Sequence, residues 1–279
     1  MPELPEVETM ASDLRGAICG RKIERVKFFV PAMIKYPAPE KFASGLEGAK
    51  ILDVSRRAKY LRFELDGERV MLTHPKMTGH FLLVTKTRKH KSTEAQKQEN
   101  KYTRINFQLD DGSVLGFSDI RKFGTLRLFS KKEAEEFLGE LGPEPLSLEA
   151  GKFVSLISSE KRKIKQVLMD PAVIVGIGNI YSDEALYLAG IHPERRANDL
   201  SSAELKSLHR VILKVLKKAI RLRGSSINNY RDTRGEKGEY QNARLVYGRR
   251  GEACGKCSTV IGRIVVAGRS ACFCSECQK

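Results

Sequence analysis

Apolar residues at the start of the chain fall at helical spacing. Val7, Met10, Ala11, Leu14 and Ile18 occupy positions i, i+3, i+4, i+7 and i+11, with Pro5 suited to a first turn and Gly20 to a C-terminal stop. Between about residue 22 and about residue 130 the period changes to two. Lys50-Ile51-Leu52-Asp53-Val54, Tyr60-Leu61-Arg62-Phe63-Glu64-Leu65 and Arg104-Ile105-Asn106-Phe107-Gln108-Leu109 alternate, and Asp66-Gly67 and Asp111-Gly112 punctuate them as turns. This predicts the strands of a sandwich. Lys86 to Lys101 contains a single apolar residue, Ala95, so it cannot bury itself and reads as a mobile, solvated loop.

A proline-rich joint at Gly142-Pro143-Glu144-Pro145 separates the β-rich half from a helical one, and binding clefts often form at such joints. Ser201-x-x-Glu204 has the form of a capping box, and Leu205, Leu208, Ile212, Val215, Leu216 and Ile220 make an amphipathic helix ending near Gly224. Lys214, Lys217, Lys218, Arg221 and Arg223 populate its other side and last turns, as solvated charges that suit the helix dipole. Ser225 to Arg244 is polar and glycine-punctuated, a long loop of the kind that is usually functional or disordered. The fold class expected is α+β, with an N-terminal β-sandwich flanked by helices and a helical C-terminal part.

At 279 residues, with 41% hydrophobic and 30% charged positions, the composition is that of a globular protein of two ordinary domains. Fifty Lys and Arg against thirty-four Asp and Glu give +16. A four-thiolate site holding one dication would change this by −2, to about +14, so the expected partner is still a polyanion. Charge alone does not separate DNA, RNA and membrane surface. The longest mostly apolar run, Ala172 to Tyr181, is far shorter than the roughly 20 residues that cross a bilayer. With no apolar signal region at the start, no membrane partner is expected and the location expected is cytoplasmic or nucleoid-associated.

Of six cysteines, four form Cys254-x2-Cys257 and, after sixteen intervening residues, Cys274-x2-Cys277. Two such knuckles put four thiolates at the corners of a tetrahedron, which predicts one structural Zn2+. A four-cysteine site has no open position for water or substrate, so the chemistry must lie elsewhere. Cys272 does not reproduce the x2 spacing and is expected on the intervening hairpin. Cys19 reads as a small buried hydrophobe. Arg263 and Arg269 on the hairpin suit phosphate contact.

At the other end, removal of Met1 would make Pro2 a secondary amine able to attack an electrophilic carbon and collapse to an iminium, with Glu3 as a neighbouring acid or base. The reference pKa of a chain-terminal amine, about 7.7–8.0, leaves a useful neutral fraction at physiological pH. On the residues alone, Pro2 and Glu3 could equally be a disordered start. Lys59 reads as a strand-surface lysine, Met77 and Phe123 as core residues, and Gly176-Ile177-Gly178 as a weak phosphate-nest motif.

Further matches decide between these readings. The opening Met1-Pro2-Glu3-Leu4-Pro5-Glu6-Val7-Glu8-Thr9 resembles that of the formamidopyrimidine-DNA glycosylases, base-excision repair enzymes that remove 8-oxoguanine and ring-opened purines. The resemblance recurs in Arg57-Ala58-Lys59-Tyr60, Asp119-Ile120-Arg121-Lys122-Phe123-Gly124, Gly176-Ile177-Gly178-Asn179-Ile180-Tyr181, Ser225-Ser226-Ile227 and Val266-Ala267-Gly268-Arg269, so it covers the whole chain. It implies a catalytic β-sandwich domain over 1–134, a linker over 135–150, a helix-two-turns-helix DNA-binding domain with a lesion-covering loop over 151–244, and a zinc finger hairpin over 245–279.

The resemblance also implies roles. Pro2 would attack C1′ of the damaged nucleotide and Glu3 would protonate the sugar ring oxygen, giving a Schiff base from which β- and then δ-elimination cleaves the strand. Lys59 would touch the phosphate beside the lesion, and Arg269 would contact the backbone and assist the second elimination. Met77, Arg121 and Phe123 would fill the hole left by the everted nucleotide, a step that demands a filler because flipping leaves a void in the duplex. Tyr102, Lys161, Lys165, Asn179 and Arg263 would lie along the DNA. The partner implied is double-stranded DNA containing an oxidised purine, bound by a monomer in a basic cleft between the domains.

Two places depart from the family pattern: Pro75-Lys76 precede the intercalating methionine, and Tyr102-Thr103-Arg104 stand where bacterial members often carry histidines. One alternative is the sister enzyme endonuclease VIII, which prefers oxidised pyrimidines. Leu4 in place of a glycine, together with Met77, Arg121 and Phe123, favours the purine branch. The other alternative is a non-catalytic zinc-ribbon protein that binds damaged DNA.

Overall fold

The computed structural model describes residues 1–85, 101–226 and 230–279, so the charged loop expected over 86–101 lies outside the described residues except for its last position. The chain forms two compact units, one of Met1–Gly139 with Leu222–Glu239 and the other of Glu140–Arg221 with Tyr240–Lys279. Among the described residues no helix is long and apolar enough to cross a membrane.

In the first unit, helix α1 (Leu4–Ile18) buries Val7, Met10, Ala11, Leu14 and Ile18, the face that the spacing predicts. Pro5 sits in its first turn, where the missing N–H has no intrahelical acceptor to lose. Gly20, just past the end, takes φ +86, which an L side chain would strain. Two sheets follow. Strands β1 (Ile23–Phe28), β7 (Thr103–Leu109), β8 (Val114–Ser118) and β6 (His80–Val84) form an antiparallel sheet in that order. The other runs β2 (Ile34–Tyr36), β9 (Thr125–Ser130), β5 (Arg69–His74), β4 (Tyr60–Leu65) and β3 (Ile51–Arg57), with β2 and β9 parallel.

Alternation holds where it is expected. β4 buries Leu61, Phe63 and Leu65, and β7 buries Ile105, Phe107 and Leu109. Phe63 of one sheet meets Phe81 of the other at 5.3 Å, and Phe81 meets Phe117 at 5.0 Å, so one aromatic cluster joins both layers. Helices α2 (Pro39–Leu46) and α3 (Lys131–Gly139) complete the unit. The family resemblance implies one domain over 151–244, whereas Leu222–Glu239 groups with the first unit. Tyr230 belongs to that unit's core, and the Leu83 N–H donates to the Thr233 carbonyl at 3.0 Å.

The second unit contains α4 (Ala150–Ser158), α5 (Ile164–Leu168), α6 (Asn179–Ala189), α7 (Ser202–Arg221) and a hairpin of β10 (Gly262–Val266) and β11 (Arg269–Phe273). The capping box is formed: the Ser201 N–H donates to Glu204 at 2.8 Å, and the Glu204 N–H donates to Ser201 Oγ at 3.2 Å. α7 then buries Leu205, Leu208, Ile212, Val215 and Leu216. α6 is buried on nearly every side from Ile180 to Tyr187, including two carboxylates. Glu184 accepts the backbone N–H groups of Leu245 (2.8 Å), Val246 (2.9 Å) and Tyr247 (2.9 Å), and Asp183 accepts that of Cys272 (2.9 Å). Buried charge thus fastens the hairpin and the chain leading into it onto the central helix.

Candidate functional site

Pro2 is buried at the head of α1 behind an exposed Met1, and Glu3, 2% exposed, is the residue that starts the helix. Glu6 organises this end. One of its oxygens accepts the Glu3 N–H at 2.7 Å, the other accepts the Ser225 N–H at 2.7 Å, and its carbonyl accepts the Tyr230 hydroxyl at 3.3 Å. A carboxylate in a first helical turn is favoured by the dipole as well. A Cβ on Gly224 would stand 2.7 Å from that carboxylate, and φ there is +78, so only glycine lets the two segments approach so closely. Burial, and then the negative charge of Glu6, push the Tyr230 phenol well above its ordinary range, which keeps it a neutral donor.

Lys59 sits in the two-residue turn between β3 and β4, where Arg57 pairs with Tyr60 and Ala58 takes φ +56. It is therefore at a hairpin tip and not on a strand surface. Its neighbour Arg56 is tied to Glu8 of α1 at 2.8 Å.

Met77, Arg121 and Phe123 come together. Arg121 Nη1 lies 2.8 Å from Met77 Sδ, and the guanidinium stands 4.6 Å above the Phe123 ring. The residue-only reading of Met77 and Phe123 as core is overturned, because they are 42% and 50% exposed. A buried carboxylate holds the two loops that carry them: Asp119 Oδ1 accepts the Thr78 hydroxyl and the Arg121 N–H (3.1 Å), and Oδ2 accepts the Gly124 N–H (2.7 Å). Tyr102 lies on the same scaffold, its carbonyl accepting the Asp119 N–H at 3.0 Å and its ring facing the Arg104 guanidinium at 5.7 Å.

In the second unit, Arg263 and Arg269 are exposed on the hairpin. Lys161 is exposed too, and lines a surface hollow of about 420 Å³ with Arg196 and with Ala267 of the hairpin turn. Asn179 opens α6, and its Oδ1 is buried with no partner among the described residues. Lys165 differs from its expected place along DNA. It is fully buried, ion-paired with Asp183, and donates to the Ser270 carbonyl at 2.9 Å. Burial pushes the Asp183 carboxyl up to about 6, with the Lys165 ammonium opposing that rise. A lysine so enclosed positions the hairpin and presents no charge to solvent.

Cys254, Cys257, Cys274 and Cys277 bring their sulfurs within 4.8 Å of one another. Sulfurs at about 2.3 Å from a central zinc stand about 3.8 Å apart. Cys254 and Cys277 are 3.8 Å apart, and Cys257 is 3.4 Å from both Cys274 and Cys277, so the quartet fits a tetrahedral thiolate site. Cys272 is buried outside it, with its N–H on Asp183. Cys19 is only partly buried against the core of the first unit. Nothing in residue type or spacing marks Glu6, Thr78, Asp119, Tyr230 or Glu184 as part of a site. The only signal for any of them was membership in the quoted motifs, which Glu6 and Asp119 have.

Residues 1–126 match the formamidopyrimidine-DNA glycosylase N-terminal domain, and residues 141–231 match the formamidopyrimidine-DNA glycosylase H2TH domain. The formamidopyrimidine-DNA glycosylase of Bacillus subtilis is 42% identical over 100% of this chain and 99% of its own, and that of Halalkalibacterium halodurans is 42% identical with 100% of both chains covered. Among solved structures, a Lactococcus lactis FPG mutant in complex with a Fapy-dG containing DNA superposes with a TM-score of 0.90 at 36% identity, covering 100% of both chains. The Lactococcus lactis Fpg in complex with an abasic site containing DNA gives 0.89 at 35% identity over 99% of both. On these matches, which run from one end of the sequence to the other, the chain belongs to the formamidopyrimidine-DNA glycosylase family.

Proposed function

We propose that the chain is a bifunctional DNA glycosylase and AP lyase that excises oxidised purines from double-stranded DNA. The observation that carries the reading is the buried Pro2–Glu3 start of α1, in a chain whose full-length relatives bear the glycosylase name. With Met1 removed, the Pro2 nitrogen attacks C1′ as the bond to the base breaks, the departing base takes up a proton, and the nitrogen loses its own. Glu3 protonates the ring oxygen as the sugar opens, leaving an iminium between Pro2 and C1′. β-Elimination breaks the 3′ C–O bond and δ-elimination the 5′ one; water then hydrolyses the C1′–nitrogen bond, releasing the sugar remnant as an aldehyde and returning Pro2 as a free amine.

Met77, Arg121 and Phe123 suit the void opened by base eversion: the apolar pair wedges between bases while Arg121 donates to the orphaned cytosine. Lys59, Tyr102, Lys161, Asn179, Arg263 and Arg269 are the groups assigned to backbone contact, with Arg269 also assisting the second elimination. Lys165 supports the hairpin from within. The four cysteines would hold one Zn2+ in a closed site that fixes the hairpin and supplies no catalytic water. The segment around Ser225–Arg244 is assigned to cover the everted purine. The protein acts as a monomer in the cytoplasm, on the nucleoid.

The test is borohydride trapping of the mass-checked protein on a duplex with one 8-oxoguanine opposite cytosine, beside a thymine-glycol duplex and a Pro2→Gly variant. The expected result is an adduct at residue 2 on the oxoguanine duplex. Trapping on thymine glycol alone would move the protein to the pyrimidine branch. No adduct on either, from protein with a free Pro2, would leave a damage-binding protein.

A further inference from the structure

The second residue past α7, inside the segment over 222–239, is held in an unusual way. Arg223 takes φ +57, a left-handed conformation that side-chain-bearing residues rarely adopt. Its Nη2 donates to Asp13 Oδ2 at 2.6 Å and to Asp232 Oδ2 at 2.5 Å, and Nε donates to Asp232 at 3.0 Å. Asp13 belongs to α1, the helix that Pro2 and Glu3 immediately precede. Both carboxylates are enclosed, with side chains 11% and 1% exposed. Their remaining capacity goes to the same segment: Thr233 Oγ1 donates to Asp13 at 2.9 Å, and the Arg234 and Glu236 N–H groups donate to Asp232 Oδ1 at 2.9 Å each. One guanidinium between two largely enclosed carboxylates thus joins Asp13 of α1 to Asp232 of the segment.

The segment is closed on itself at its base. The Glu239 N–H donates to the Leu222 carbonyl at 2.8 Å, and Ser226 Oγ accepts the Gly238 N–H at 2.9 Å. Two further hydrogen bonds to α1 both end on Glu6, the Ser225 N–H on a carboxylate oxygen and the Tyr230 hydroxyl on the carbonyl. Glu6 keeps its bond to the Glu3 N–H within α1, three residues away, whether or not the segment moves. The bond that orders the head of the helix thus lies within α1 and does not run through Arg223.

We propose that Arg223 is a positioning residue: by clamping Asp13 to Asp232 it sets the 222–239 segment on the helix that carries Pro2 and Glu3. Removal of a base then depends on it, while strand cleavage at a sugar that has already lost its base does not. This rests on the functional reading above, with the segment as the part that faces the base. An abasic sugar gives the segment nothing to hold.

The variants are Arg223→Gly, which relieves the left-handed strain while deleting the clamp, Asp13→Asn, which keeps the shape, and Arg223→Lys, which can still reach a carboxylate. Each is assayed at single turnover for excision of 8-oxoguanine and for cleavage of an abasic duplex, and amide hydrogen exchange is followed at Ser225, Arg234 and Glu236. For Arg223→Gly the expectation is excision slowed about tenfold or more, since small misplacements near a reacting centre are costly, with abasic cleavage within about twofold of wild type. Exchange at the three amides should rise about tenfold relative to the middle of α1. Asp13→Asn should move the same way and Arg223→Lys should recover part of the loss. An equal fall in both activities, or unchanged exchange and excision, overturns the proposal. If wild type cleaves neither duplex, the functional reading fails instead, and unchanged exchange in Arg223→Gly still decides against the clamp.

Discussion

His80 opens β6 at 3% exposure, and its neighbours settle its protonation state. Nδ1 lies 3.2 Å from the Thr78 carbonyl, which can only accept, so Nδ1 carries the proton. Nε2 is buried with no partner among the described residues, so a second proton would create a cation with an orphaned N–H in a dry site. Burial is the main reason that the imidazole is pushed down to about 4. The Thr78 bond and the charges of Asp119 and Asp232 oppose this, and Arg231 assists it.

The sign follows from linkage. An unfolded histidine takes its proton near pH 6.5 and the folded one near 4, so falling pH favours the unfolded chain throughout that window. The contribution is intact above about pH 6.5, is lost as pH falls toward 4, and changes no further below that. About 2.5 pKa units at 1.36 kcal/mol each give a loss of about 3 kcal/mol, a large share of the roughly 5–15 kcal/mol that holds a domain folded. The assay is urea unfolding at about pH 7.5 and about pH 4 for wild type and His80→Asn, whose amide can still donate to Thr78 but does not titrate. Carboxylate contributions are common to both proteins and cancel in the difference. Wild type should lose about 3 kcal/mol more than the variant over that range. Parallel stability curves, or a His80 resonance that titrates near 6.5 in the folded protein, would refute the reasoning.

Two further outcomes follow from the second unit. The purified protein should carry about one zinc per chain by elemental analysis, and Cys274→Ser should lose it together with hairpin stability; full zinc retention in that variant would rule out the quartet as the ligand set. Lys165→Met should destabilise by about 3–5 kcal/mol because it strands Asp183 as an unpaired buried charge, and adding Asp183→Asn should recover most of that. Thermal unfolding of the three proteins checks it, and a double variant as unstable as the single one would count against the pairing.

Local periodicity made much of the architecture legible. α1, α7, β4 and β7 each bury one face, and a one-sided burial pattern is what spacing reports. β5 was less legible because Val70, Met71, Leu72 and Thr73 are buried in succession, which erases the alternation. The zinc knuckles were legible because four ligands within a short stretch constrain one another through spacing alone. Glu6 and Arg223 were not: their partners Ser225 and Asp13 lie 219 and 210 residues away, and nothing local marks a charged residue as bonded across the fold. Lys165 failed for the same reason. A lysine in a basic stretch reads as solvated until the fold brings Asp183 to it.

Met77 and Phe123 are the informative failure. Fully burying a Met or Phe side chain is worth about 1.5–3 kcal/mol, so residue type alone assigns both to the core. Instead both stand in solvent, with Arg121 between them, on loops held by a buried Asp119 that accepts three hydrogen bonds. Lys76 and Lys122, each beside one of the pair, take φ +55 and +59, further strain in the same loops. A fold that leaves apolar surface uncovered and spends a buried carboxylate and two left-handed residues to keep it so is not satisfying its own stability there. Under the function proposed above, the conflict would be relieved as those side chains enter an apolar surface supplied from outside, such as the stacked faces of bases around an everted nucleotide.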